Sequence, residues 1–349
     1  MSDLRNANGN GSVEASASMG QSAVMRRGRM IAALVSAIAL VVLPFVASAV
    51  GHPAFTTLAT RIAILSIAAV SLNLALGYGG MVSFGHAAYY GIGGYAVGIM
   101  TQTFVGHDAL FGVIPGSDQL LVNLPIAMVA GGLTALALGA LSLRTSGVQF
   151  IMITLAFAQM LFFFFVALKA YGGDDGLILR RRNTLPGLDA RSDIQFYFLC
   201  LALLALWTGF TARIVGSRFG RMLDGIRQNP RRMAAIGVAA YPYQLVAFTM
   251  AGIGAGLAGG LMANFAKFVS PDMLHWMQSG EFLIMVILGG VGTLLGPAIG
   301  ATILILLETT LAGYTEHWQA IIGPILVVIV LFGRPAIAGT VRYITGATS

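Results

Sequence analysis

The sequence predicts an all-α polytopic membrane protein with about ten transmembrane helices, some short or broken by glycine. Three observations carry this. Apolar residues make up 57% of the 349-residue chain and charged residues only 9%, where an ordinary soluble domain has roughly 25% charged. A bilayer-spanning helix uses about 20 apolar residues, so this content fills about ten spans and leaves no soluble catalytic domain over. The apolar residues also come in continuous runs, unlike the alternating strands of an outer-membrane barrel. A soluble enzyme, a disordered protein and a secreted disulfide scaffold are excluded. The single cysteine, Cys200, sits in an apolar run, with no second cysteine to pair with.

Residues 1–29 are small and polar and read as a disordered cytoplasmic tail. The tail ends in Arg26, Arg27 and Arg29, ahead of an apolar run from Met30 to Val50. Ala47-Ser48-Ala49 resembles a signal-peptide cleavage site, but the run has spanning length and its basic residues lie behind a long tail, which favours an uncleaved first helix. Nine further segments follow, at 57–76, 81–100, 120–141, 147–168, 194–214, 243–264, 280–295, 297–313 and 318–333. Together they make one membrane domain over 30–335, with its longest loops at 169–193 and 215–242, followed by a cytoplasmic tail over 336–349.

Net charge is +7 and the isoelectric point about 9.9. With an inner N-terminus and ten spans, the cytoplasmic side collects Arg5, Arg26, Arg27, Arg29, Arg144, Arg213, Arg218, Arg221, Arg227, Arg231, Arg232, Arg334 and Arg342. The other side receives Lys169, Arg180, Arg181, Arg182, Arg191 and Lys267. The excess predicts both termini in the cytoplasm and makes nucleic acid unnecessary as an explanation of the charge. Arg180-Arg181-Arg182 runs against this bias; a chain with one span fewer would put that loop inside.

Eight glycines fall between Gly77 and Gly98, in the stretch from Asn73 to Met100. Irregular backbone at membrane depth persists only where it is buried in protein or lines a wet cavity. Asn73, Gly79, Gly80, Ser83, Gly85 and His86 are therefore candidates for a broken helix beside a translocation path. Small-residue helix packing is the competing reading of the glycines, and a satisfied structural histidine that of His86. A second glycine-rich stretch runs from Gly289 to Gly300. The two stretches fall at the third and eighth segments, where a five-plus-five inverted repeat would place corresponding interrupted helices.

In the loop 215–242, Phe219, Met222, Leu223 and Ile226 recur on one helical face. Asn229-Pro230 reads as the N-cap and first residue of a second short helix, and Gly237 as its stop. This pair of helices is either a docking knob for a cytoplasmic partner or a helix resting on headgroups. Gly172-Gly173-Asp174-Asp175-Gly176 reads as a tight polar turn; contact of Asp174 and Asp175 with a delivery protein is the lesser reading. The sequence holds no phosphate-cradling Gly-Lys-Ser/Thr loop, no His-Glu-x-x-His and no Gly-x-Ser-x-Gly, so no cofactor, metal or catalytic residue is expected on this chain. Glu281 and Glu308, the membrane carboxylates an ion-coupled transporter would need, lie toward the outer ends of their segments.

Residues 73–100, 143–155, 172–177, 220–237 and 252–300 together resemble the LivM-type permease of branched-chain amino acid ABC importers. The resemblance covers roughly 57–335 and includes Ala-Gly-Leu-Ala-Gly at 255–259 and Leu-Gly-Gly-Val-Gly-Thr-Leu-Leu-Gly-Pro at 288–297. It implies a permease subunit paired with a LivH-type permease, two ATPase subunits that carry the ATP, and a periplasmic binding protein. It also implies that Phe219, Gly220, Arg221, Met222, Leu223, Ile226, Arg227 and Asn229 belong to a segment that couples to an ATPase. Related permeases for urea, short amides or aromatic acids, and a lone ion-coupled transporter, are the alternatives. The Arg180–Arg182 run departs from the family pattern.

Overall fold

The computed structural model describes residues 54–106, 109–110, 114–185, 192–314 and single positions between 320 and 327. The expected segment 30–50 and both tails lie outside the described residues, as does 318–333 apart from those single positions. Helix α1 covers Ala54–Asn73 and runs on as a π-helical turn, Leu74–Tyr78. Residues 79–85 are non-helical, and α2 covers His86–Gly106. A two-residue hairpin, β1 (Ala109–Leu110) with β2 (Ile114–Pro115), leads to α3 (Leu120–Ser142) and α4 (Val148–Ala167). Strand β3 (Leu177–Ile178), α5 (Asp193–Gly216), α6 (Arg218–Gln228), α7 (Pro230–Ala235), α8 (Ala240–Ala266) and β4 (Phe268–Val269) follow, then α9 (Trp276–Gly289) and α10 (Gly296–Ala312).

Five helical stretches have the length and apolarity to cross a membrane: Ala54–Tyr78, Leu120–Ser142, Val148–Ala167, Asp193–Gly216 and Ala240–Ala266; α9 and α10 are apolar but shorter. Their boundaries fall within a few residues of the expected ones, except in the glycine-rich regions. The segment expected at 81–100 begins as helix only at His86, and that expected at 280–295 is helical over 276–289 and then turns. The turn residues Val291, Leu294 and Leu295 are apolar, so hydropathy does not mark it.

Helices α1 and α8 form the centre. Of their most apolar windows 78% and 67% are buried, against 17% for α4 and for α5, which lie at the periphery. Peripheral Leu133, Met152, Phe163 and Leu206 stay exposed, as side chains meant for lipid do. Glycine sets the spacing of the core. A Cβ on Gly93 would overlap the Gly256 backbone, one on Gly259 the Tyr90 carbonyl, and one on Gly131 would stand 2.8 Å from the Gly252 oxygen. This is small-residue packing, which lets helix backbones approach where no hydrophobic drive separates protein from lipid.

The loops sort to two ends. Helices α6 and α7 and the start of α8 share one end, where the Tyr241 hydroxyl donates to the Ala140 carbonyl at 2.9 Å. At the other end β3 pairs antiparallel with β4, Leu177 opposite Val269. The Arg180–Arg182 run follows β3 directly and so lies across the protein from α6. Arg181 pairs with buried Asp118 at 2.8 Å. Arg182 is buried, pairs with Asp193 at 2.7 Å and lies over the Phe196 ring. Asn183 anchors the segment: its backbone N–H donates to Asn264 Oδ1 at 2.9 Å and its side-chain amide to Thr101 Oγ1 at 3.2 Å. Two of the three arginines are thus engaged in pairs within the fold.

Candidate functional site

The glycine-rich stretch 73–100 divides in two. Its second part is continuous helix, packed on α8 through Gly93 and Gly94, so packing explains those glycines. Its first part is the break. Gly80 has φ +69°, a conformation side chains disfavour, and a Cβ there would stand 2.9 Å from Arg227 Cγ of α6. Ser83 is fully buried and its hydroxyl accepts from the Gly85 N–H at 3.0 Å, closing the turn into α2. Gly79 closes the π-turn at its C-terminal end. His86 opens α2, buried edge-on between the rings of Tyr89 and Phe248, 5.6 Å from each.

The break does not stand alone. Asn73, 1% exposed, accepts from the Gly292 N–H at 3.0 Å and donates to the Thr293 carbonyl at 2.8 Å. A Cβ on Gly77 would stand 2.5 Å from the Gly292 nitrogen. Ser279 of α9 donates to the Phe84 carbonyl at 2.7 Å and accepts from the Ala87 N–H at 2.8 Å. The second glycine-rich stretch and the start of α9 therefore hold the first break from both sides. Each stretch is conspicuous in the sequence; that they touch is not.

Beneath the break lies the helical pair α6–α7. Ser217 caps α6, accepting from the Gly220 N–H, and Asn229 caps α7, accepting from the Arg232 N–H at 3.0 Å with Pro230 in the first turn, as Asn229-Pro230 predicts. The apolar stripe of α6 turns inward: Leu223 and Ile226 are buried, and Phe219 stacks on Tyr243 of α8 at 5.5 Å. Gly220 is buried, and a Cβ there would overlap the Val215 backbone. Met222, Arg218, Arg221, Arg231, Arg232 and Ile236 face away from the protein, and Arg227 is exposed at its head while its stem lies against Gly80. Arg227 bonds Asp224 at 2.7 Å. At the opposite end Asp174 and Asp175 lie exposed in a short 3-10 turn.

The chain matches, over residues 54–331, the family described as the permease component of the branched-chain amino acid transport system. It belongs to that family. Two relatives are the high-affinity branched-chain amino acid transport system permease proteins LivM of Salmonella typhimurium (strain LT2) and Escherichia coli (strain K12). Each is 24% identical over 302 residues, which cover 80% of this chain and 68% of the relative. No solved structure gives a significant match. Within this permease family the described helices, the glycine-broken α1–α2 junction and the α6–α7 pair all fall inside the matched region.

Proposed function

We propose that this chain is the membrane-spanning permease subunit of an ATP-driven importer of branched-chain or related amino acids. Access alternates between the two sides, and separate ATPase subunits supply the energy. One observation carries the coupling half of this reading: α6 packs on the broken end of α1, with the Arg227 stem over Gly80 and Leu223 and Ile226 buried against the membrane helices. A push on the exposed arginine face of α6 reaches the break through direct contact. Phe219, Leu223 and Ile226 anchor that lever, while Arg221, Met222, Arg227 and Asn229 meet the ATPase. The α6–α7 end faces the cytoplasm, where arginine is concentrated.

Asn73, Gly79, Gly80, Ser83, Gly85 and His86 form the path side of the break. The partners are a second, related permease, two ATPases and a periplasmic binding protein that brings substrate past Asp174 and Asp175. ATP belongs to the ATPases, since this sequence carries no Gly-Lys-Ser/Thr loop. Family membership favours branched-chain amino acids over urea, amides and aromatic acids. Co-purification from membranes tests the reading: ATPase chains and a second permease are expected with the tagged protein. Purification alone, with uptake driven by an ion gradient and indifferent to ATP, overturns it.

A further inference from the structure

Where α7 and the start of α8 face the α3–α4 loop, the fold leaves a pocket of about 510 Å³, within the roughly 300–1,000 Å³ of small-molecule sites. Gly80, Met81 and Val82 of the break form one wall, Arg144 of the α3–α4 loop another and Pro230 of α7 a third, and Phe150 of α4 also lines it. Arg144 is exposed and has no ion pair among the described residues. From Phe150 a file of rings leads inward. Its ring lies 6.0 Å from that of Phe248, which stands 5.6 Å from His86 and 5.7 Å from Tyr89. Helix α4 is tied to the break beside them, since Thr154 Oγ1 accepts from the Phe84 N–H at 3.3 Å.

At the inner end of this file His86 is 1% exposed, and neither of its ring nitrogens has a hydrogen-bond partner among the described residues. Asn73 and Arg61 are matched by contrast: Asn73 bonds the Gly292 turn, and Arg61 of α1 donates to both carboxylate oxygens of Glu308 on α10, at 3.0 and 3.3 Å. A histidine in either charge state carries at least one N–H donor, and a buried donor left unpaired is costly. One kept beside the break points to a partner that arrives in another arrangement of the protein. That N–H and the Arg144 guanidinium both complement an anion, and the guanidinium repels an ammonium group. We propose that the pocket is the cytoplasmic mouth of the translocation path, that the Phe150–Phe248 pair is its gate, and that the His86 N–H behind the gate binds the carboxylate of the transported amino acid. Arg144 takes the same carboxylate on release, while Met81, Val82 and Phe150 offer the apolar side chain a matching wall. This rests on the importer reading above and adds to it an inner gate and the group that selects for an acid.

Thiol accessibility tests the gate in inside-out vesicles holding the assembled complex, with binding protein and leucine inside and Cys200→Ala removing the native thiol of this chain. With His86→Cys, the chain should resist a charged methanethiosulfonate added outside in the absence of ATP. It should become labelled while ATP is hydrolysed, and without ATP once Phe150→Ala is added. Labelling without ATP behind an intact Phe150, labelling that Phe150→Ala leaves unchanged, or no labelling at all overturns the proposal. In liposomes with leucine as the probe, His86→Leu should cut uptake by about tenfold or more, the scale of losing a hydrogen bond to a charged group. His86→Gln keeps an N–H donor and should recover most of it. Unchanged uptake in His86→Leu, or no recovery in His86→Gln, overturns the carboxylate subsite. Failure of the wild type to bring ATPases down would instead strike the importer reading, a separate measurement.

Discussion

The Asn73 side chain grips the α9–α10 turn at Gly292, accepting its N–H at 3.0 Å while donating to the neighbouring Thr293 carbonyl at 2.8 Å. One amide thus satisfies two backbone groups of a turn inside the membrane domain, where water is scarce and an unpaired group costs several kcal/mol. Asn73→Leu keeps the volume and removes both bonds. It should lower stability by about 1–3 kcal/mol, read as a lower unfolding midpoint in detergent, and Asn73→Gln should recover little because the longer side chain misplaces the amide.

Gly80 combines a positive φ with the stem of Arg227 close by. Gly80→Val should therefore carry both a backbone cost of about 1–2 kcal/mol and a steric one. Arg227→Ala should relieve only the steric part. Transport by Gly80→Val, Arg227→Ala and the double variant measures the coupling between the two positions. Strict additivity would mean that they do not press on one another.

The inward stripe of α6 and its outward face should fail differently. Leu223→Asp combined with Ile226→Asp buries two carboxylates where both side chains are now enclosed, at a cost of several kcal/mol. The expected result is loss of transport, with an inserted chain whose 217–239 region is cut by protease. Met222→Asp changes an exposed position and should leave that region protected while weakening ATPase association. Equal protease sensitivity in both would contradict the arrangement.

The two ends of the fold can be assigned to sides of the membrane by labelling. Cys200 is buried, so it gives little background, and Cys200→Ala removes it. Asp175→Cys should react with an impermeant maleimide on intact cells, and Ala234→Cys only after permeabilisation. The reverse pattern would invert the topology.

Long uniform apolar runs made α3, α4 and α5 legible in the sequence almost to the residue. The Asn229 cap was legible too, because capping is local chemistry. The glycine-rich regions were harder. Hydropathy cannot separate an apolar helix from an apolar turn, so the end of α9 and the turn at 290–295 were merged into one segment. The pairings that hold the break were invisible: Asn73 and Gly292 are 219 residues apart, and nothing near either names the other. The state of the arginine run was hidden for a related reason. Its partners Asp118 and Asp193 lie on other elements, so a count of charges along the chain treats as free what the fold has paired.

Arg61 and Glu308 are separated by 247 positions. At a synthesis rate of about 5–20 residues per second, the arginine enters the bilayer roughly 10–50 s before its carboxylate is made. Until then α1 carries an unmatched cation. Membrane insertion of this protein must therefore shelter a half-built helix, and a nascent chain stopped ahead of α10 leaves that charge exposed to whatever surveys unfinished membrane proteins.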